Sequence, residues 1–401
     1  MKTHPNNTRS LFAVAFVAAL FAIPALRAQN SSISNVKAVQ RTDTKLIDIT
    51  YDLDTFGASN PYIEVSISEL GNGNYNLPLF SLSGAFGRSN AIRPGTGLKI
   101  TWNAGADWNG KFTNQAVARV RIISTPPQVG DFALIPAGNF LMGDTFSETS
   151  DAVPTRTVFI SAFYIQKTEV TIAQWDVVRV WAITRGYEDL HFTNFTNPSY
   201  PVTSISWNDA VKWCNALSEF EGRTPVYTVG GLTYRSGAST PAADNTKNGY
   251  RLPTEAEWEK AARGGNAGMR FPWGDTIDHN RANFHSSSGY TYDTTGYQGS
   301  NPLFGGQPSP VRSFLVGNGY GLFDTSGNVE EHCWDWYASN YYGTSGNTND
   351  PTGPSAGARR VTRGGDYQDQ AEGLRNFARS STFGPFHRLA ATGFRIVRRG
   401  L

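Results

Sequence analysis

Between residues 31 and 123 apolar and polar positions alternate with a period of two. Ile47, Ile49, Tyr51 and Leu53 interleave with Asp48, Thr50 and Asp52. Ile63, Val65 and Ile67 interleave with Glu64, Ser66 and Ser68, and Ala118, Val120 and Ile122 with Arg119 and Arg121. A strand points successive side chains to opposite faces, so this pattern predicts half-buried antiparallel strands. Gly71-Asn72-Gly73-Asn74 and Pro94-Gly95-Thr96-Gly97 predict turns between them. Residues 29–123 are therefore expected to form an all-β sandwich of immunoglobulin or fibronectin type. The unit has no Cys, no His and no catalytic constellation, which suits a spacer or interaction module.

The pattern changes after the linker 124–131, which Pro126 and Pro127 stiffen. From 132 to 401 the chain is rich in irregular Gly/Asn/Ser loops, with three helix starts. Thr171 with Gln174, Ser206 with Asp209 and Thr254 with Glu257 each have the spacing of a capping box. Trp175 to Ile183, Ala210 to Leu217 and Trp258 to Ala261 follow as apolar runs, and Gly222 and Gly264-Gly265 end the last two helices. Loops this long need something other than a strand ladder to hold them, and bound metal is one candidate.

Composition narrows the class. Gly 41 and Pro 21 with 13% aromatic and 17% charged residues describe a turn-rich, aromatic-rich chain and argue against a helical bundle. Residues 1–28 have the form of a secretory leader: Lys2 and Arg9, the apolar run Leu11 to Ile23, then Pro24 to Ala28 with small residues at the expected cut. The run is too short to span a bilayer. A secreted or periplasmic protein is expected, with no membrane span. Without Lys2, Arg9 and Arg27 the chain has 32 basic against 33 acidic residues, so no nucleic-acid partner is implied. Cys214 and Cys333 are the only cysteines; they could pair or stay free. The six histidines form no zinc-type helical pair. In Trp207-Asn208-Asp209 the capping role outweighs a lectin-like sugar word, and the aromatic run Trp334, Trp336, Tyr337, Tyr341 and Tyr342 suits packing better than a groove.

The second unit carries an ordered series of words. They are Ile135-Pro136-Ala137-Gly138 with Met142-Gly143, Pro201-Val202 with Ser206 to Ala210, Arg251 to Glu259, and Phe271-Pro272-Trp273-Gly274. Asn318 to Asp324, Gly327-Asn328-Val329, Arg363-Gly364-Gly365 and Gly393-Phe394-Arg395 follow. This series resembles the sulfatase-modifying-factor family, the formylglycine-generating enzyme domain, over residues 132–398. The resemblance implies an α+β variant of the C-type-lectin-like fold. It also implies an oxidase that uses two cysteines and copper to convert a client sulfatase cysteine to formylglycine.

The departures from that family pattern carry the functional expectation. In Arg375-Asn376-Phe377-Ala378-Arg379-Ser380 the position of the second family cysteine is Asn376, and no Cys follows Cys333. A thiolate pair suits copper(I), and an amide oxygen does not replace it. The resemblance also leaves Cys214 without its disulfide mate, since Ile396 follows Arg395. The family's calcium loop falls on Asp324, Gly327, Val329 and Glu331, a mix of side-chain and carbonyl oxygens that suits calcium. A second family calcium site would begin at Asn283 and the Phe284 carbonyl, with Asp293 nearby but out of register. Family aromatic positions become Glu330 and His332, and Asp366 and Tyr367 follow Arg363-Gly364-Gly365. A groove with Asp366, Asp369, Asn376 and Arg379 would favour a polar or cationic ligand over the client peptide. The expectation is thus a non-catalytic, calcium-stabilised binding or scaffold protein for a protein, peptide or glycan ligand, the alternative being a formylglycine-generating oxidoreductase.

Overall fold

The computed structural model describes residues 32–42, 44–54, 63–68, 81–85, 95–107, 117–122, 131–191, 197–314, 317–344, 348–381 and 384–400. The expected leader, the turn at 71–74 and the linker up to residue 130 lie outside the described residues.

In the first unit Ser32–Gln40, Leu46–Asp54, Gly95–Asn103 and Leu82–Gly84 form one antiparallel sheet in that order. Ile63–Ser68 pairs with Val117–Ile122 as a separate ribbon. The alternation explains the packing: Ile49, Tyr51 and Leu53 from the sheet and Ile63, Val65, Ile67 and Val120 from the ribbon bury into one core around Trp102. The turn expected at Pro94–Gly97 is a correction. Gly95 to Gly97 already belong to a strand, Leu53 faces Gly95, and the Gly97 N–H donates to Asp52.

The second unit mixes three helices with short strands. Helix α1 (Ile172–Ala182), α2 (Trp207–Phe220) and α3 (Glu255–Ala262) each begin with the full reciprocal capping box, from Thr171, Ser206 and Thr254. The box satisfies backbone N–H groups that a helix start leaves bare. Trp175 of α1 stacks on Trp213 of α2 at 5.9 Å, with Phe394 edge-on to both. One sheet runs Tyr250–Arg251, Val397–Arg399, Phe163–Gln166, Phe132–Ile135, so the end of the chain is stitched between early and middle segments. A second runs Ser380–Ser381, Arg360–Arg363, Glu330–Trp336, Thr392–Gly393.

The loops between these elements are held by buried charge. Arg360, Arg363 and Arg395 are among the largest fully buried side chains. A buried cation must find compensation. Arg363 meets Glu259, and Arg395 meets Glu331. Arg360 instead lies 3.7 Å from the Trp207 ring centre and 3.5 Å from that of Trp336. Its guanidinium faces the aromatic quadrupoles. The aromatic run after residue 330 is thus packing: Trp334 stacks on Tyr227, and Tyr342 is buried. Cys214 and Cys333 are both free and buried, in different core clusters. No helix among the described residues is long and apolar enough to cross a membrane.

Candidate functional site

A cavity of about 270 Å³ opens where the sheet carrying Glu330 and Arg363 meets the loops 364–380. Its wall includes Glu330, Asp369 and Glu372 on the acidic side and Arg363, Arg375 and Arg379 on the basic side. The arginines are already engaged from behind. Arg379 Nε lies 2.7 Å from Glu255, Arg375 lies 2.7 Å from Glu148, and Arg363 meets Glu259. Loop 144–151 is strapped over the site through these contacts, because Asp144 accepts three backbone N–H groups that shape the turn leading to Glu148.

The acids of the wall have no such partners. Glu330 sits among the hydroxyls of Thr362, Ser380 and Thr392, and burial raises its pKa. Asp366 is pushed up to about 7, first by burial and then by the charge of Asp369. Burial raises Asp369 as well. Glu372 accepts from the Tyr290 hydroxyl. Two residues beyond Glu330 on the same strand face, His332 is buried, with Nε2 3.4 Å from the Ile205 carbonyl. Burial depresses its pKa to about 4, so the ring is neutral. Facing a carbonyl, Nε2 carries the proton, and Nδ1 is left as a buried acceptor without a donor.

The structure separates the residues expected to line one groove. Arg379 and Asp369 reach the cavity wall. Asp366 stands beside it, its N–H donating to Asp369. Arg379 is not an open ligand hand, as its guanidinium is held by Glu255 and the Asp151 carbonyl. Asn376 stands behind Arg375, its amide nitrogen 3.3 Å from the Met269 carbonyl and its Oδ1 without a partner. Neither cysteine lines the cavity, and burial raises both thiols well above their ordinary range. The donors present do not fit copper(I).

The calcium loop is different. Asp324 is held at φ +55° with one oxygen accepting from the Arg312 N–H and Oδ1 buried without a partner. Glu169 is fully buried beside it, with Oε1 on Asn328 and Oε2 unpartnered. Burial, and then the neighbouring Asp324, drive the Glu169 pKa up; burial does the same to Asp324. Orphaned carboxylate oxygens in a site with excess negative charge fit a hard cation. Glu331, expected in the same loop, already accepts from Arg395 on both oxygens and from Trp258 Nε1 on Oε2. Glu169 is the further acid that the fold brings beside Asp324, with no local sequence signal beyond its place before the Thr171 cap. Gly327 packs so close to the Asn283 carbonyl that a Cβ would lie 2.4 Å from it. At the second expected site Asn283 Oδ1 is buried and unpartnered, but the Phe284 carbonyl already accepts from His279 Nε2 at 3.0 Å. Asp293 is engaged by Ser286, Ser287 and Thr295 and is not an open ligand.

A family model, the sulfatase-modifying factor enzyme 1-like domain, matches residues 121–400. The chain belongs to that family. It is 31% identical over 284 residues to a formylglycine-generating enzyme of Streptomyces coelicolor, covering 58% of this chain and 77% of that one. It is 30% identical over 260 residues to an inactive C-alpha-formylglycine-generating enzyme 2 of Mus musculus, covering 60% and 76%. Among solved structures, Treponema denticola variable protein 1 matches at 29% identity with TM-score 0.53, over 67% of this chain and 95% of that one.

Proposed function

We propose that this chain is an exported, non-catalytic member of the family that uses the cavity beside Glu330 as a binding site. The reading rests on one observation: the cavity has no thiol in its wall, with Asn376 at the family cysteine position and both cysteines buried elsewhere. Oxygen activation at copper(I) needs soft thiolates. The remaining framework supports recognition instead, since the ion-paired arginines fix the walls and leave carboxylates facing the space.

Calcium would be held by Asp324 and Glu169 and would tie the 324–331 loop to the segment before α1, supplying structural stability. Residues 29–123 act as a sandwich-type spacer of immunoglobulin or fibronectin kind. The ligand is a protein, peptide or glycan. The similarity to formylglycine-generating enzymes keeps one competing reading open, a family oxidase with altered ligands. Oxygen uptake on a cysteine-containing sulfatase peptide, with copper supplied, separates them. Uptake at the no-protein rate supports the binding reading; protein-dependent uptake with loss of the peptide thiol overturns it.

A further inference from the structure

The uncommitted polar atoms around the cavity share one character. Its three arginines are paired from behind, whereas Glu330, Asp369 and Glu372 face the space with no cation against them. Glu330 is 9% exposed, at the wall of a cavity of about 270 Å³, among the hydroxyls of Thr362, Ser380 and Thr392 and near the charge of Asp369. His332 Nδ1 and Asn376 Oδ1 are also buried without a donor, but neither residue lines the cavity. Each residue is only 1% exposed. Tyr290 and Tyr292 lie 5.5 Å apart, and Tyr290 donates to the wall residue Glu372.

We propose that this cavity receives an organic cation rich in N–H donors, an alkylammonium or guanidinium group, with Glu330 and Asp369 as its counter-charges. The inference rests on the binding reading above and names the class of ligand at that site. Donors on a cation meet carboxylates in short, charge-assisted hydrogen bonds, and the arginines cannot compete because their own carboxylates hold them. The same chemistry is offered by a free diamine and by a lysine side chain of a peptide.

Titration calorimetry on the full purified protein tests this with 1,4-diaminobutane, an N-acetyl-lysine amide tripeptide, succinate and uncharged 1,4-butanediol. One molecule of at least one cation is expected to bind, weakened about tenfold or more by Glu330→Gln and by Asp369→Asn. Asp244→Asn, at an exposed residue outside the cavity wall that pairs with Lys247, is expected to leave binding unchanged. Tighter binding of the diamine points to a free small molecule, and tighter binding of the tripeptide to a protein partner; both support the proposal. Binding of succinate or the diol with no binding of either cation overturns the cation inference and leaves the binding reading standing. No binding of any probe overturns the cation inference and, with it, the case for this cavity. Cation binding indifferent to both substitutions, in variants that melt like the parent, places the site elsewhere and overturns the proposal.

Discussion

Arg395 closes a bidentate pair on Glu331, with Nε 2.6 Å from Oε2 and both residues fully buried. The pair joins the Gly393-Phe394-Arg395 word to the loop that begins at Asp324, and Arg395 also donates to the carbonyls of Gln166, Lys167 and Phe323. Removing one partner of a buried pair leaves an uncompensated charge, which costs about 3–5 kcal/mol. Arg395→Met is therefore expected to lower unfolding free energy by that order in urea titration, and the double change with Glu331→Gln to recover part of it. A loss below about 1 kcal/mol in the single variant would show that the pair does not hold the loops.

Calcium sensitivity should follow Asp324 and Glu169. A ligand that binds only the folded chain stabilises it by RT ln(1 + [L]/Kd), about 2–4 kcal/mol when calcium is well above its Kd. Chelator is expected to lower the melting temperature of the parent, and Asp324→Ala and Glu169→Gln each to remove that sensitivity. Identical melting of the parent with and without chelator rejects the site.

The pH dependence has a definite sign. Asp366 keeps its proton in the folded chain up to about pH 7, whereas an unfolded Asp releases it near 3.8. The folded state thus binds more protons between those values. This contribution is fully present below about pH 4 and is lost as pH rises toward 7. Allowing for partial solvent screening it amounts to about 1–3 kcal/mol. Asp366→Asn should flatten stability over that window in urea titrations at stepped pH. A parent whose Asp366 contribution grows with pH there would contradict the burial account.

Both thiols should be inert in the folded protein. Cys214 and Cys333 are fully buried, and burial raises both pKa values. A thiol-reactive reagent at neutral pH is expected to modify neither until denaturant is added, then both, by intact mass. Rapid native labelling of either would mean that a thiolate is within reach of solvent.

What the sequence disclosed and what it hid have physical reasons. The three capping boxes were legible because donor and acceptor lie three residues apart, and the strand alternation because burial acts on every second residue. The cavity was legible only in part: of the expected groove residues Asp366, Asp369, Asn376 and Arg379, Asp369 and Arg379 line it. Its shape depends on pairs such as Arg375 with Glu148, 227 residues apart, which leave no local pattern. Glu331 stands in the calcium loop that the family resemblance implies, and only the fold shows its pairing with Arg395, 64 residues on. Glu169 was missed for the same reason: its meeting with Asn328, across 159 residues, exists only in the fold.

The central claim is that the cavity beside Glu330 has no thiolate pair in its wall. Its most direct test is competition of the purified protein with a chromophoric copper(I) chelator, at affinities where a paired-thiolate site would win. The account predicts that copper stays with the chelator, and equally so for Cys214→Ser and Cys333→Ser. Transfer of one equivalent to the parent, abolished by either substitution, would contradict it.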